Sequence, residues 1–141
     1  MRSGAPPPRS VSTMKICIFC GSSGGHDPAF GNGAAEAARS LALSGATLIY
    51  GGGRVGLMGI VADAALGAGG EVVGVMPRAL VAREIAHRGL HHLHVVETMH
   101  ERKTTMSNLA DAFLALPGGA GTLEEIFEQW TWGQLGIHGK P

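Results

Sequence analysis

The segment PGGAGTLEE, from Pro117 to Glu125, follows the apolar run Ala112–Leu116 and combines glycines, a threonine and two glutamates. Glycines between a strand and a helix let backbone N–H groups approach an anion, and a helix N-terminus favours negative charge there. The residues Thr122 to Glu125 also fit a capping box, in which Thr122 accepts a hydrogen bond from the amide of residue 125. A cap does not require the glycines upstream. A phosphate-binding loop is therefore favoured over a cap alone, with Glu125 as a carboxylate beside it.

Arg102 is a second candidate for chemistry. Met99, Arg102, Met106 and Ala110 recur at spacings of three and four, which places Arg102 beside the apolar face of a helix, next to Lys103. Two interpretations are open: the stem of the arginine covers apolar surface while its charge reaches water, or the guanidinium is held for a phosphate or carboxylate partner. The periodicity does not separate them.

A glycine motif, Gly51-x-Gly53-x-x-Gly56, lies between an apolar run and a helical stretch. A dinucleotide site also requires an acidic residue at the end of the next strand, where it meets the ribose. Glu71 opens the next strand instead, so the pattern does not favour NAD. A phosphate or ribose of a mononucleotide near Gly52 and Gly53 remains an expectation.

Four histidines, His87, His91, His92 and His94, raise the possibility of a metal site. No carboxylate or thiolate lies within ligand spacing of them, so a solvated, histidine-rich edge is the favoured interpretation. The expected metal content is none.

The two cysteines, Cys17 and Cys20, lie inside the apolar run Lys15–Cys20. Residues three apart on a strand point to opposite faces, whereas a redox C-x-x-C opens a helix. Buried structural cysteines are therefore predicted, and reduced thiols fit the cytoplasm. The sequence has no G-x-S-x-G motif, so Ser22 and Ser23 are expected to be polar turn residues and not nucleophiles.

The elements that must position these residues follow from alternating apolar and amphipathic stretches. Runs that are apolar throughout suit strands buried on both faces of a parallel sheet. The predicted strands are Ile16–Cys20, Ala46–Tyr50, Val72–Met76 and Ala112–Leu116, with a weaker one at His91–Val96. The predicted helices are Pro28–Ser44, Leu57–Ala68, Thr98–Leu109 and Thr122–Leu135. This order predicts a single-domain α/β fold with a doubly wound parallel sheet, whose glycine-rich turns meet at the ligand-binding edge.

The last predicted helix has an apolar stripe of its own. Leu123, Ile126, Phe127 and Trp130 recur at helical spacing, which predicts that they belong to the core. Glu125 projects away from this stripe, so its carboxylate is not forced into apolar surroundings.

Composition excludes several classes of protein. The chain has 141 residues, of which 45% are apolar and 16% charged, and Lys+Arg and Asp+Glu both total 11. Without a basic block or stripe, a nucleic-acid binder is not expected. Residues 1–13 are rich in Pro, Ser and Arg and lack the apolar centre of a signal peptide, so they are expected to be a disordered leader. No apolar run is long enough for a membrane span, and a cytoplasmic location is expected.

Four motifs in order give the chain a family resemblance. PGGAGTLEE fits PGGxGTxxE, and it is preceded by CGSS (Cys20–Ser23), YGGGRVGLMG (Tyr50–Gly59) and MHERKTTM (Met99–Met106). From about Met14 to Pro141 the chain resembles the LOG (Lonely Guy) family of cytokinin riboside 5′-monophosphate phosphoribohydrolases. The resemblance implies a Rossmann-like fold, a homodimer, and no metal or redox cofactor. It also implies hydrolysis of N6-modified adenosine monophosphates to free base and ribose 5-phosphate, with AMP as a poorer substrate.

Matching motif positions assign the family's catalytic pair to Arg102 and Glu125. The substrate contacts expected from the resemblance and from the glycine motifs are Ser22, Gly52, Gly53, Glu84, Lys103, Gly118, Gly119, Ala120, Gly121, Thr122, Glu124 and Thr131. Family members continue past GIHGKP with another strand and helix, so residues 14–141 are expected to be a C-terminally shortened domain. The alternatives are a broader AMP hydrolase and a non-catalytic nucleotide-binding or carrier module. A pure binder would not need the Arg102–Glu125 pair.

Overall fold

The computed structural model describes residues 14–21, 28–83, 85–116 and 120–141, without the side chains of residues 120–124. The predictions for the leader 1–13 and for Ser22, Glu84, Gly118 and Gly119 lie outside these residues. The strands are β1 (Lys15–Phe19), β2 (Thr47–Tyr50), β3 (Val72–Pro77), β4 (His92–Val96) and β5 (Ala112–Ala115). The helices are α1 (Pro28–Leu43), α2 (Gly56–Gly67), α3 (Arg78–Val81), α4 (Met99–Leu109) and α5 (Ala120–Gln134).

The strands form one parallel sheet in the order β4-β3-β2-β1-β5. Strand order reverses between β1 and β5, which creates the topological switch point where ligands bind in open α/β sheets. The segments that follow β1 and β5 begin on this edge, and so does the glycine turn that follows β2. The sequence-based prediction of a doubly wound α/β fold is confirmed.

Two cores, one on each face of the sheet, explain why the central strands are apolar throughout. On one face, α1 and α2 cover side chains such as Leu48 and Val72; on the other, α4 and α5 cover side chains such as Ile49 and Val75. Burying both faces removes the alternation of polar and apolar residues that a half-exposed strand would show. Helices on both faces leave the ends of the strands as the accessible edges.

The predicted elements match the observed ones to within two residues at each end, while the short helix α3 had no prediction. Helix α5 begins at Ala120, two residues before the predicted start at Thr122, and the Thr122 side chain on which the predicted cap depends lies outside the described residues. A capping arrangement is found at α4. There the Glu101 amide donates to Thr98 Oγ1 at 3.0 Å, and Glu101 Oε2 accepts from the Glu97 amide at 2.8 Å.

The orientation of α5 also differs from the prediction. Phe127 and Trp130 are 53% and 62% exposed, whereas Gln129 is 3% exposed. The prediction that the apolar stripe belongs to the core is therefore wrong for Phe127 and Trp130, while Ile126 packs against the core as predicted and the side chain of Leu123 lies outside the described residues. The physical reason is the position of α5, which packs on β1 and on the edge strand β5. The exposed rings of Phe127 and Trp130 stack on each other with centroids 6.2 Å apart.

Candidate active site

Arg102, in the first turn of α4, is buried with 7% of its surface exposed. Its Nε donates to the Val75 carbonyl at 2.9 Å, and its Nη2 donates to the Gly51 carbonyl at 2.6 Å. The weaker contact of Nη1 with Met99 Sδ measures 3.9 Å. Of the two interpretations left open by the sequence, the one with a solvent-exposed charge is wrong. The guanidinium is fixed inside the protein by carbonyls from β3 and from the turn after β2.

Gly51 is a glycine because Arg102 occupies the space where a side chain would lie. A Cβ added at this position would overlap Nη2 of Arg102 and come within 3.3 Å of Met58 Sδ. The turn continues through Gly52, whose φ of 84° lies in the region that favours glycine. The buried hydroxyl of Tyr50 donates to the Gly53 carbonyl at 2.7 Å and closes the turn.

Glu125 and Arg102 line the same cavity. This cavity has a volume of about 20 Å³ and is walled by β1, Gly51, Met58 and α4. A water molecule requires roughly 10–15 Å³ measured this way, so the cavity has room for about one water. It lies at the switch-point edge, beside the end of β1 at Cys20. The structure thus brings together the two residues that the sequence assigned to catalysis, one from α4 and one from α5.

The Glu125 carboxylate acts electrostatically on its surroundings. Burial lowers the pKa of the Arg102 guanidinium, and the charge of Glu125 opposes that effect. Burial and, second, Glu125 raise the pKa of the Cys20 thiol to about 12, and the same two causes raise the pKa of Cys17 far above its usual range. Both thiols are free and buried, and they belong to cores on opposite faces of the sheet. The prediction of structural cysteines is confirmed.

Lys103 and Thr131, two predicted substrate contacts, have partners within the protein. Lys103 Nζ lies 3.0 Å from Glu128 Oε2, and the two side chains are 16% and 23% exposed. Glu128 was not predicted, and no sequence motif distinguishes it from other helical glutamates. Thr131 lies on the exposed side of α5, where its hydroxyl donates to the Phe127 carbonyl at 2.9 Å.

The predicted glycines of the turn after β2 are buried. The Gly52 carbonyl accepts from the His87 amide at 2.8 Å, and Gly53 faces Ala86 in an antiparallel bridge. These contacts make Gly52 and Gly53 part of the support for Arg102, a role that the motif alone did not indicate. Of the predicted residues at the start of α5, the structure describes the backbone only: Ala120, Gly121, Thr122 and Glu124.

The predicted histidine-rich edge corresponds to the edge strand β4, on which His92 and His94 are exposed. His87 is more enclosed, and its Nε2 lies 2.7 Å from Asp63 Oδ1. Within the described ranges, no three His, Cys, Asp or Glu side chains are grouped closely enough to hold a metal ion. Over those same ranges, no helix is both long and apolar enough to cross a membrane.

A parallel sheet with helices on both faces defines a Rossmann-like α/β protein, and the cavity of Arg102 and Glu125 lies at its switch point. A protein-family model described as "possible lysine decarboxylase" matches residues 58–141. The cytokinin riboside 5′-monophosphate phosphoribohydrolase of Rhodococcoides fascians is 52% identical over 96% of this chain and 67% of its own length. A probable enzyme of the same name from rice is 49% identical over 90% of this chain and 57% of its own length. The chain belongs to this family of phosphoribohydrolases, the LOG family.

Solved structures agree on the fold. A molybdenum cofactor carrier protein from Chlamydomonas reinhardtii has a TM-score of 0.71 and 21% identity, over 84% of this chain and 71% of its own. A molybdenum cofactor binding protein from Rippkaea orientalis has a TM-score of 0.68 and 20% identity, over 86% of this chain and 83% of its own. At these identities the structural similarity shows only that the proteins share the Rossmann-like fold.

Proposed function

We propose that this protein hydrolyses the N-glycosidic bond of N6-modified adenosine 5′-monophosphates, giving the free base and ribose 5-phosphate. The observation that supports the proposal most directly is the shared cavity of Arg102 and Glu125 at the ligand-binding edge of the sheet. The names of the curated relatives support the substrate class. We propose AMP as a further substrate, because it has the same sugar, phosphate and glycosidic bond.

Glu125 is the carboxylate that this reaction needs. Breaking the bond between sugar and base leaves positive charge on the sugar, and a fixed carboxylate beside the anomeric carbon stabilises that charge. A water molecule fits the adjoining cavity of about 20 Å³. Its oxygen adds to the anomeric carbon as the carbon–nitrogen bond breaks, one proton is released, and the leaving base gains a proton.

Arg102 supplies a positive charge that is already in place before substrate binds. Its bonds to the Gly51 and Val75 carbonyls hold the guanidinium near Glu125, so no reorganisation is required during the reaction. We assign it the role of keeping the carboxylate and the substrate in register.

The 5′-phosphate is proposed to bind where β5 leads into α5. The first amides of a helix have no partners within the helix and its dipole favours an anion there, and Lys103 lies on the neighbouring helix α4. The proposed contacts along the rest of the nucleotide are those expected from the motifs: Ser22, Gly52, Gly53, Glu84, Gly118, Gly119, Ala120, Gly121, Thr122, Glu124 and Thr131.

We also propose that the protein is a cytoplasmic homodimer. The exposed, stacked rings of Phe127 and Trp130 give α5 an apolar face that suits a second copy of the chain. The two free thiols suit a reducing compartment. Light scattering on the wild type and on Trp130→Glu tests the dimer, since a charge on this face would favour the monomer.

The decisive experiment is to incubate the purified protein with isopentenyladenosine monophosphate and with AMP, and to follow free base by chromatography. Release of base from the modified nucleotide is expected, with slower release from AMP. Binding of both nucleotides without release from either would favour the non-catalytic carrier and overturn the proposed hydrolase.

A further inference from the structure

A short segment after α3 runs antiparallel to the glycine turn that holds Arg102. The His87 amide donates to the Gly52 carbonyl at 2.8 Å, and the Arg54 amide donates to the Ile85 carbonyl at 3.0 Å. These two bonds fasten the turn to the segment. The position of the turn therefore depends on where the segment with Ile85 and His87 is anchored.

The side chain of His87 anchors this segment to α2. Its Nδ1 accepts from the Gly89 amide at 2.9 Å, and its Nε2 lies 2.7 Å from Asp63 Oδ1. Because Nδ1 is an acceptor, the ring proton of the neutral imidazole is on Nε2 and is donated to Asp63. The ring is thus bonded on both sides, and only 13% of the side chain is exposed.

Arg102 is connected to this anchor through two consecutive carbonyls. The Gly52 carbonyl is bonded by the His87 amide, and the Gly51 carbonyl directly before it is bonded by Arg102 Nη2 at 2.6 Å. A shift of the turn would change the geometry of the Arg102 bond, and misplacement by about 1 Å can cost on the order of a hundredfold in rate.

We propose that His87 and Asp63 form a clamp, and that His87 is a positioning residue for Arg102. This role rests on the hydrolase function proposed above. Neither His87 nor Asp63 is among the described residues that line the cavity, so the effect of the clamp on the reaction passes through the turn. Asp63 is 72% exposed, so its hydrogen bond with His87 contributes little to stability, which makes an effect on catalysis separable from unfolding.

The test compares His87→Ala, His87→Gln and Asp63→Ala with wild type. We expect His87→Ala and Asp63→Ala to lower kcat about tenfold with KM changed less than about twofold, since transition-state alignment is lost while nucleotide contacts remain. His87→Gln retains an amide donor towards Asp63 and should recover most of kcat. His91→Ala is the matched control: its Nδ1 also accepts a backbone amide, that of Val72 at 3.3 Å, but at the amino end of β3, away from the site.

A second measurement reports on the clamp without catalysis. Hydrogen exchange at the amides of Arg54 and residue 87, followed by NMR, should be at least about tenfold faster in His87→Ala than in wild type and unchanged in His91→Ala. Unchanged protection in His87→Ala, or kcat equal to wild type, overturns the clamp. Absence of base release by wild type overturns the proposed hydrolase instead, and the exchange data then decide the clamp alone.

Discussion

Nη2 of Arg102 lies 2.6 Å from the carbonyl oxygen of Gly51 and occupies the space that a side chain at residue 51 would fill. A backbone carbonyl accepts this bond at a fixed position, unlike a flexible carboxylate. The arginine is therefore aligned by the fold, and its charge remains available to Glu125 and to the substrate. The behaviour of single substitutions in and around this pair follows from that arrangement.

Gly51→Ala should reduce activity although it adds only one methyl group. The new Cβ would overlap Nη2, so the guanidinium must leave the carbonyl, and we expect kcat to fall at least about tenfold. Gly67→Ala is the control, because a Cβ there has no neighbour within 4 Å and Gly67, the last residue of α2, does not have a positive φ. Steady-state kinetics on the two variants checks this. Equal activity in both would show that the Gly51 contact does not matter.

Arg102→Lys should be destabilising as well as inactivating. An ammonium group cannot reach both the Gly51 and the Val75 carbonyls, and one unpaired buried acceptor costs about 1–3 kcal/mol. Urea unfolding measures this cost, and kinetics should show a loss of about a hundredfold or more in kcat. Arg78→Lys is the matched control, since the side chains of Arg78 and its partner Glu97 are 67% and 62% exposed. It should change the free energy of unfolding by no more than about 0.5 kcal/mol. A similar cost for both variants would contradict the role of the buried bonds.

Glu125→Gln should abolish most turnover while nucleotide still binds. The amide has the shape of the carboxylate but no charge to stabilise the sugar cation, so kcat should fall about 10²–10⁴-fold. Calorimetric titration with AMP should give an affinity close to that of wild type. Glu101→Gln, on the exposed side of α4, is the control and should leave kcat unchanged. Activity retained in Glu125→Gln would reduce this residue to a structural role.

Stability should fall at alkaline pH because of the buried thiols. Burial first, and Glu125 second, raise the pKa of Cys20 from 9.0 to about 12. Between these values the folded protein keeps a proton that the unfolded chain loses, so the free energy of unfolding decreases as pH rises through the window. At about pH 10.5 the Cys20 thiol should account for a loss on the order of 2 kcal/mol relative to neutral pH, and Cys20→Ala should remove that share while the share of the buried Cys17 thiol remains.

The control for this experiment is Ser107→Ala, a substitution of a buried residue without a titrating group in this range. Its effect on urea unfolding should be the same at both pH values. If the difference in unfolding free energy between Cys20→Ala and wild type were also the same at both pH values, the Cys20 thiol would not contribute to the alkaline loss.

The strands were predictable because a strand that is buried on both faces consists of apolar residues throughout. Val72 to Pro77 are all buried, and the run is apolar from end to end. The buried role of Arg102 could not be settled in this way. Its two acceptors, Val75 and Gly51, are 27 and 51 residues away in the chain, and backbone carbonyls are present at every position. Periodicity located Arg102 beside an apolar face but could not identify long-range partners.

The positions of Phe127 and Trp130 on α5 were mispredicted for a related reason. An apolar stripe indicates which side of a helix avoids water, but not whether the covering surface belongs to the same chain. Phe127 and Trp130 are exposed, whereas Ile126 of the same stripe packs against the core and Gln129 is buried, with its Oε1 3.0 Å from His138 Nε2. The apolar stripe is therefore divided between the core and the surface.

The bonds of Arg102 also make activity a reporter of folding. Val75 belongs to β3 and Gly51 directly follows β2, and these strands pair with Tyr50 opposite Gly74. A slip of one residue between them would separate the two carbonyls that the guanidinium joins. Partly folded chains with the right helices but the wrong strand alignment are therefore expected to be inactive. Recovery of turnover during refolding would mark the moment at which the centre of the sheet reaches its native alignment.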